Sequence, residues 1–325
     1  MSSSTRASAI EVGGGLRSPS DASPEHRLAP ATPALGSGNG PRWWHPPRAV
    51  LRFCRRKPLG AVGAGIVLAM LLMAAFAERV APYRYDETIR GARMKAPSAA
   101  HWLGTDNLSR DIWSRTVYGA RVSVTIGFAT IALATLAATV LGVSSAYFGG
   151  IYDLVLQRLV DAWLSFPYLI IILSVMAVLG PGLLNVILSL AVIATATNSR
   201  VIRGATLALI QSQYIEAARA MGCGHARIIV RHIVPNIAAT IIILGTIGLG
   251  AVILAESALS FLGFGVPSTY PSWGGMLSGS GRTYMFRAPW MAIWPGVAIS
   301  LAVFGFNMLG DALRDVLDPR LRGGR

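Results

Sequence analysis

Six apolar stretches, near residues 59–77, 122–146, 166–179, 183–197, 237–261 and 291–309, leave this chain few ways to fold. A helix needs about 20 apolar residues to cross a bilayer. In hydrocarbon every backbone N–H and C=O must be bonded within the segment, so stretches of this kind fold as helices. The third and fourth are short, and Gly180-Pro181-Gly182 between them is a strong turn signal, which predicts a hairpin of two tilted or shielded helices. The fold class expected is all-α, a polytopic membrane protein with about six spans.

Composition agrees. Hydrophobic residues make up 53% of the chain and charged residues 14%, against about 25% charged in average soluble proteins. The net charge of +14 sits in tails and loops between apolar stretches. That pattern fits anionic headgroups and topology, and nucleic acid is not an expected partner. The two cysteines, Cys54 and Cys223, lack the spacing of a disulfide framework or zinc site. Residues 1–50 are rich in Ser, Pro, Gly and Ala, have no apolar core of a signal peptide, and read as a disordered cytoplasmic tail.

An even number of spans puts both termini on one side. The N-terminal region, Arg158, the loop with Arg200, Arg203, Arg219, Arg227 and Arg231, and the C-terminus carry most of the basic residues, so that side is predicted to be cytoplasmic. Residues 78–121 run against the rule, being external yet holding Arg79, Arg84, Arg90, Arg93, Lys95, Arg110, Arg115 and Arg121. Glu78, Asp86, Glu87, Asp106 and Asp111 are available to pair with them.

The loop at 199–236 is the most informative segment. Tyr214 to Met221 is a run of good helix formers with adjacent alanines, Gly222 is placed to end that helix, and His225 to His232 reads as a second short helix before Pro235. Small side chains at Ala217, Ala218 and Ala220 would let the first helix lie close in a groove on a partner, with Glu216 and Arg219 at the rim.

Glu216-Ala217-Ala218, three residues, Gly222 and a distal Pro235 resemble the coupling loop of ABC importer permeases, although His232-Ile233-Val234-Pro235 replaces the Ile-x-Leu-Pro found in many of them. Other stretches resemble the C-type permease subunits of dipeptide, oligopeptide and nickel importers. These are His101-Trp102-Leu103-Gly104-Thr105-Asp106 with Arg110-Asp111, Tyr118 to Ser123, Leu254 to Gly263, and Asn307 to Asp311 with Asp318-Pro319-Arg320. The resemblance covers residues 51–320. It implies a type I ABC importer permease fold, with residues 51–121 as first span and external loop, 122–315 as the permease domain and 316–325 as a cytoplasmic tail. It also implies a coupling surface of Glu216, Ala217, Ala218, Arg219, Gly222 and Pro235 that docks on ATPase subunits. The implied partners are a second permease in a heterodimer, two ATP-binding subunits and an external solute-binding protein in a bacterial inner membrane. The implied cargo is di- or oligopeptides, with nickel or glutathione as alternatives.

Catalysis has little support in the sequence. There is no Gly-x-x-x-x-Gly-Lys-Ser/Thr phosphate loop, so ATP and Mg belong to partner subunits and no cofactor is expected here. His26, His45, His101, His225 and His232 are scattered, and neither Gly-x-Ser-x-Gly nor His-Glu-x-x-His occurs. Glu256 is the one acid inside an apolar span, a functional candidate by default. It lies about 28 Å along a helix from Ile237, toward the outer face, where a gate or substrate contact competes with helix capping or ion pairing. Gly245, Gly248 and Gly250 read as close-packing positions, and the aromatics Tyr270, Trp273, Tyr284 and Trp290 as an interfacial belt that could receive a binding protein. Asp153, Arg158 and Asp161 mark a short amphipathic stretch. A stand-alone secondary transporter or channel is the rival class, but such proteins place ionisable groups or broken helices near the midplane.

Overall fold

The computed structural model describes residues 57–267 and 269–317. The expected N-terminal tail and the last residues of the C-terminal tail lie outside them. The described residues form helices and turns, with Thr105–Asp111 an isolated antiparallel bridge. In chain order the helices are α1 (Pro58–Ala75), α2 (Ala77–Val80), α3 (Ile112–Phe148), α4 (Gly150–Leu164), α5 (Tyr168–Leu179), α6 (Leu183–Ile210), α7 (Gln213–Ala220), α8 (His225–Ile228), α9 (Val234–Phe261), α10 (Trp273–Met276), α11 (Arg282–Tyr284) and α12 (Trp290–Leu317).

Five helices are long and apolar enough to cross a membrane: α1, α3, α6, the continuous run His225–Phe261 and α12. The expected third span differs. Helix α5 has 12 residues, about 18 Å and too short to span alone. It forms a pair with α4, bent by 88°, and counting that pair as one broken span gives six.

Other spans outrun their expected limits, α12 by running on to Leu317. Helix α3 starts right after Asp111, whose carboxylate accepts from Ser114 N at 2.8 Å and caps the first turn. Helix α6 continues past Thr197 to Ile210 because its polar residues find partners: Arg203 forms a two-point ion pair with Asp153 on α4 (2.7 and 2.5 Å), and Arg200 pairs with Asp161. Ser145 also bonds Asp153. The acids of the amphipathic stretch therefore hold α4 against α6. The chain turns from α3 into α4 through Gly149 and Gly150, both at positive φ (+62° and +59°), a geometry that other residues reach only with strain.

The core is built where α3, α9 and α12 meet α1, α6 and α10, around Ile126, Ile253, Leu259, Phe306, Val67 and Trp273. A Cβ on Gly248 would come within 2.7 Å of Ile131 on α3, and one on Gly250 within 3.4 Å of the Val303 carbonyl on α12. Close packing accounts for both glycines.

At the end where α3 begins, residues 81–111 fold on themselves. Asp106 accepts from the backbone N–H of Leu108 and Arg110 and pairs with the Arg110 side chain at 2.7 Å, while Arg115 donates to the Tyr85 carbonyl. Arg121 reaches the Ala74 carbonyl at the end of α1 and pairs with Glu78 at 3.2 Å. Arg84 pairs with Asp86. Several of the arginines that oppose the positive-inside count are thus neutralised or buried locally. The aromatic belt is corrected at two positions. Trp273 is buried, packs on Gly119 and donates to the Thr116 carbonyl at 2.9 Å. Trp290 donates to the Thr105 carbonyl and covers Gly104.

Candidate coupling site

Helix α7 begins after Ser212 and ends by a glycine device. Gly222 sits at φ +76°, the Cys223 N–H returns to the Ala218 carbonyl at 3.1 Å and the Gly222 N–H to the Arg219 carbonyl at 2.9 Å. This pair of bonds is a Schellman ending, which satisfies carbonyls that a helix terminus otherwise leaves open. A Cβ on Gly222 would meet nothing within 4 Å, so within this chain glycine is required by conformation and not by crowding.

The two faces of α7 differ sharply. Ile215 and Ala218, 0% and 3% exposed, pack with Ile228, Ile233 and Ile237 from the following segment, Val143 and Tyr147 of α3, and Ile202 of α6. Each fully buried aliphatic side chain of this kind contributes roughly 1.5–3 kcal/mol, which holds a short helix in place that would not form alone. Ala218 therefore seats α7 on its own protein. Of the alanines expected to face a partner, Ala217 and Ala220 are exposed.

Glu216, Arg219, Arg227, Arg231 and Pro235 share the exposed surface with Met221 (77% exposed) and Val230. Exposed large apolar side chains together with arginines are a composition common at protein–protein contacts. Sequence reasoning missed Met221 and Val230, although a methionine beside a helix-ending glycine is a usable signal.

The second arm departs from expectation. The predicted separate helix 225–232 is instead the first part of one run into α9, joined by a π-helical turn at Ile229–Ile233. Pro235 has no N–H and its ring crowds the carbonyl four residues back, so an ordinary α-turn here would be strained. The wider turn relieves this: Val234 N–H bonds Ile229 O, five residues back, and Asn236 returns its side-chain amide to the His232 carbonyl at 2.6 Å.

Glu256 lies far from this surface, at the other end of α9. It is 0% exposed, held by Ser260 Oγ at 2.7 Å and, more weakly, by Ser123 Oγ on α3 at 3.5 Å. The neighbouring Ser257 backbone is covered by Gly274, where a Cβ would come within 2.3 Å. The structure buries Glu256 in the contact between α9 and α3. A cavity of about 560 Å³ at this end is lined by Glu78, Arg84, Tyr85, Tyr118 and Tyr270 among others, and Glu256 is not on its wall. No group of His, Cys, Asp and Glu suited to a metal ion occurs among the described residues.

Comparison with known proteins bears on these arrangements. The methionine ABC transporter MetNI, in inward-facing conformations, contains a chain that superposes with a TM-score of 0.52, covering 64% of this chain and 97% of that one at 19% identity, a likeness of fold. The dipeptide transport system permease protein DppC of Alkalihalophilus pseudofirmus is 40% identical over 277 residues, 85% of this chain and 91% of that protein. The glutathione transport system permease protein GsiD of Pectobacterium atrosepticum is 39% identical over 264 residues, 81% and 87% of the two chains. Residues 48–97 match the N-terminal TM domain of oligopeptide transport permease C. With residues 138–323 matching the binding-protein-dependent transport system inner membrane component, the chain belongs to that family of ABC transporter permeases.

Proposed function

We propose that this chain is the peptide-translocating permease of an ATP-driven importer, with the α7–α8 surface as the place where ATPase subunits push. The observation that carries this reading is the construction of that surface: a glycine-ended helix seated on the core by Ile215 and Ala218, presenting Met221, Val230 and arginines outward. Glu216, Ala217, Arg219, Gly222 and Pro235 form the docking side, and Ala218 holds it to the body. Two ATPases bind and hydrolyse ATP with Mg, a second permease of related kind completes the pathway, and an external binding protein delivers di- or oligopeptides. The relatives named for dipeptide and glutathione transport support a peptide-like cargo. Both termini and residues 199–236 lie in the cytoplasm of a bacterial inner-membrane protein, and residues 81–111 lie outside. Alternating access follows: ATPase closure displaces the loop, and the spans rock between inward-open and outward-open states.

The test is uptake of labelled dipeptide and glutathione by cells expressing the assembled importer. Gly222→Val forces a β-branched residue to φ +76°, a strain of about 1–3 kcal/mol. Since about 1.4 kcal/mol is tenfold in an equilibrium, docking and uptake should fall roughly tenfold or more, with membrane insertion unchanged. Glu216→Lys should weaken the same contact. Normal uptake with normally stimulated ATP hydrolysis in both variants would remove the coupling assignment.

A further inference from the structure

The loop is gripped by a helix to which it is not covalently joined. Chain continuity links 211–233 to α6 and α9, yet both of its short helices close on the end of α3. Tyr147, one residue before α3 ends, brings its hydroxyl to 2.8 Å from His225 Nδ1 on α8. Arg219 of α7 lays its guanidinium over the Tyr147 ring at 5.3 Å from the centroid. The Tyr147 and His225 rings meet edge to face at 5.6 Å, and Phe148 stands 6.1 Å from His225. Val143 and Tyr147 also share the apolar cluster with Ile215, Ala218 and Ile228. A hydrogen bond, a cation–π contact and aromatic packing thus converge on one side chain.

The same helix carries contacts of another kind at its far end. The Thr116 carbonyl holds the Trp273 indole at 2.9 Å, Gly119 lies under that ring, and Ser123 reaches Glu256. From Thr116 to Tyr147 the helix is unbroken and without proline, a rod of about 46 Å at 1.5 Å per residue. Beyond Tyr147 the chain turns at Gly149 and Gly150, while α4 is tied to α6 by Asp153 and Arg203. A push on the loop therefore meets the end of a stiff helix.

We infer that Tyr147 is the positioning residue through which displacement of the loop enters α3, and that α3 carries it to the segment around Trp273. This rests on the coupling role proposed above and adds a route through α3 beside the continuous run of the loop into α9, which itself reaches Gly274 at Ser257.

The experiment uses the purified importer, with its partner permease and ATPase subunits, in lipid nanodiscs. Cys54→Ser and Cys223→Ser remove native thiols, and Tyr270→Cys, at an exposed position near Trp273, reports by its rate of maleimide labelling. Adding ATP with vanadate is expected to change that rate in the parent. Tyr147→Phe keeps the ring and loses the bond to His225, and should shrink the nucleotide-dependent change about two- to tenfold. Tyr147→Leu should abolish it. In both, ATPase subunits should still co-purify and hydrolyse ATP, which separates lost transmission from lost structure. If the Leu variant fails to assemble, the Phe variant decides. A parent without any nucleotide response, an unchanged response in the Phe variant, or a response that falls only in step with assembly would overturn the inference. Gly222→Val separates the two levels: if it abolishes the response while Tyr147→Phe leaves it intact, only the route through α3 fails. If Gly222→Val also leaves the response intact, the coupling reading fails with it.

Discussion

Glu256 illustrates how far a residue's role depends on neighbours that sequence spacing does not reveal. An acid in an apolar span invites a gating role, and that remains a proposal for this side chain. Its surroundings are hydroxyls: Ser260 one turn along α9 and Ser123 on α3, 133 positions away in the chain. Glutamine keeps an acceptor for Ser260, so Glu256→Gln should retain fold and uptake within about twofold if hydrogen bonding is the main task. Leucine would leave the buried hydroxyls unpaired at a cost of about 1–3 kcal/mol. Thermal unfolding in detergent should then show Glu256→Leu well below both the parent and the Gln variant. Loss of uptake in a normally stable Gln variant would instead give the charge itself a part in the pathway. Gly222 is easier to read, because a glycine directly after a run of helix formers is well suited to end the helix in a left-handed conformation. The inward face of Ala218 is not legible in the sequence, since an alanine suits a core and a groove equally well.

At the scale of elements, apolar stretches locate the spans, while their ends depend on polar partners. The apolar pattern ends α6 too early, at Thr197, because Arg200 and Arg203 look like loop residues until Asp161 and Asp153 are seen beside them. It also starts α3 late, at Val122 and not at Ile112, because Arg115 and Ser114 obscure an N-terminus that Asp111 caps. The π-helical turn before Pro235 is hidden for a different reason: proline announces a break, and the chain absorbs it by widening one turn. Pro235→Ala should let that turn tighten to ordinary α geometry. Removing one residue from a turn rotates what precedes it by about 100°, which would swing His225 and Arg227 away from their present places. Expected is normal insertion with uptake reduced several-fold, accompanied by a changed pattern of amide hydrogen exchange across 225–236. An unaltered exchange pattern would show that the turn is set by packing of Ile228 and Ile233 and not by the proline.

For the whole molecule, hydropathy is sufficient to give a polytopic helical fold, and the coupling-loop pattern is sufficient to suggest the family. The bent α4–α5 pair and the burial of Trp273 need the structure, since both arise from contacts between distant segments. Residues 81–111 carry the remaining consequence. Their arginines and lysines are nominal trypsin sites, but a protease must draw several residues of extended backbone into its cleft. Arg110 is held by Asp106 inside the turn closed by the bridge Thr105–Asp111, and Arg115, in the first turns of α3, donates to the Tyr85 carbonyl. Arg90, Arg93 and Lys95 are exposed. Trypsin added to intact spheroplasts should therefore cut first between 90 and 96 and spare the peptide bonds after Arg110 and Arg115. Digestion of inverted vesicles should reverse the pattern, opening Arg219, Arg227 and Arg231 while leaving 90–96 whole. The bonds that hide the charge of Arg110 and Arg115 would then also shield the adjoining backbone from cleavage.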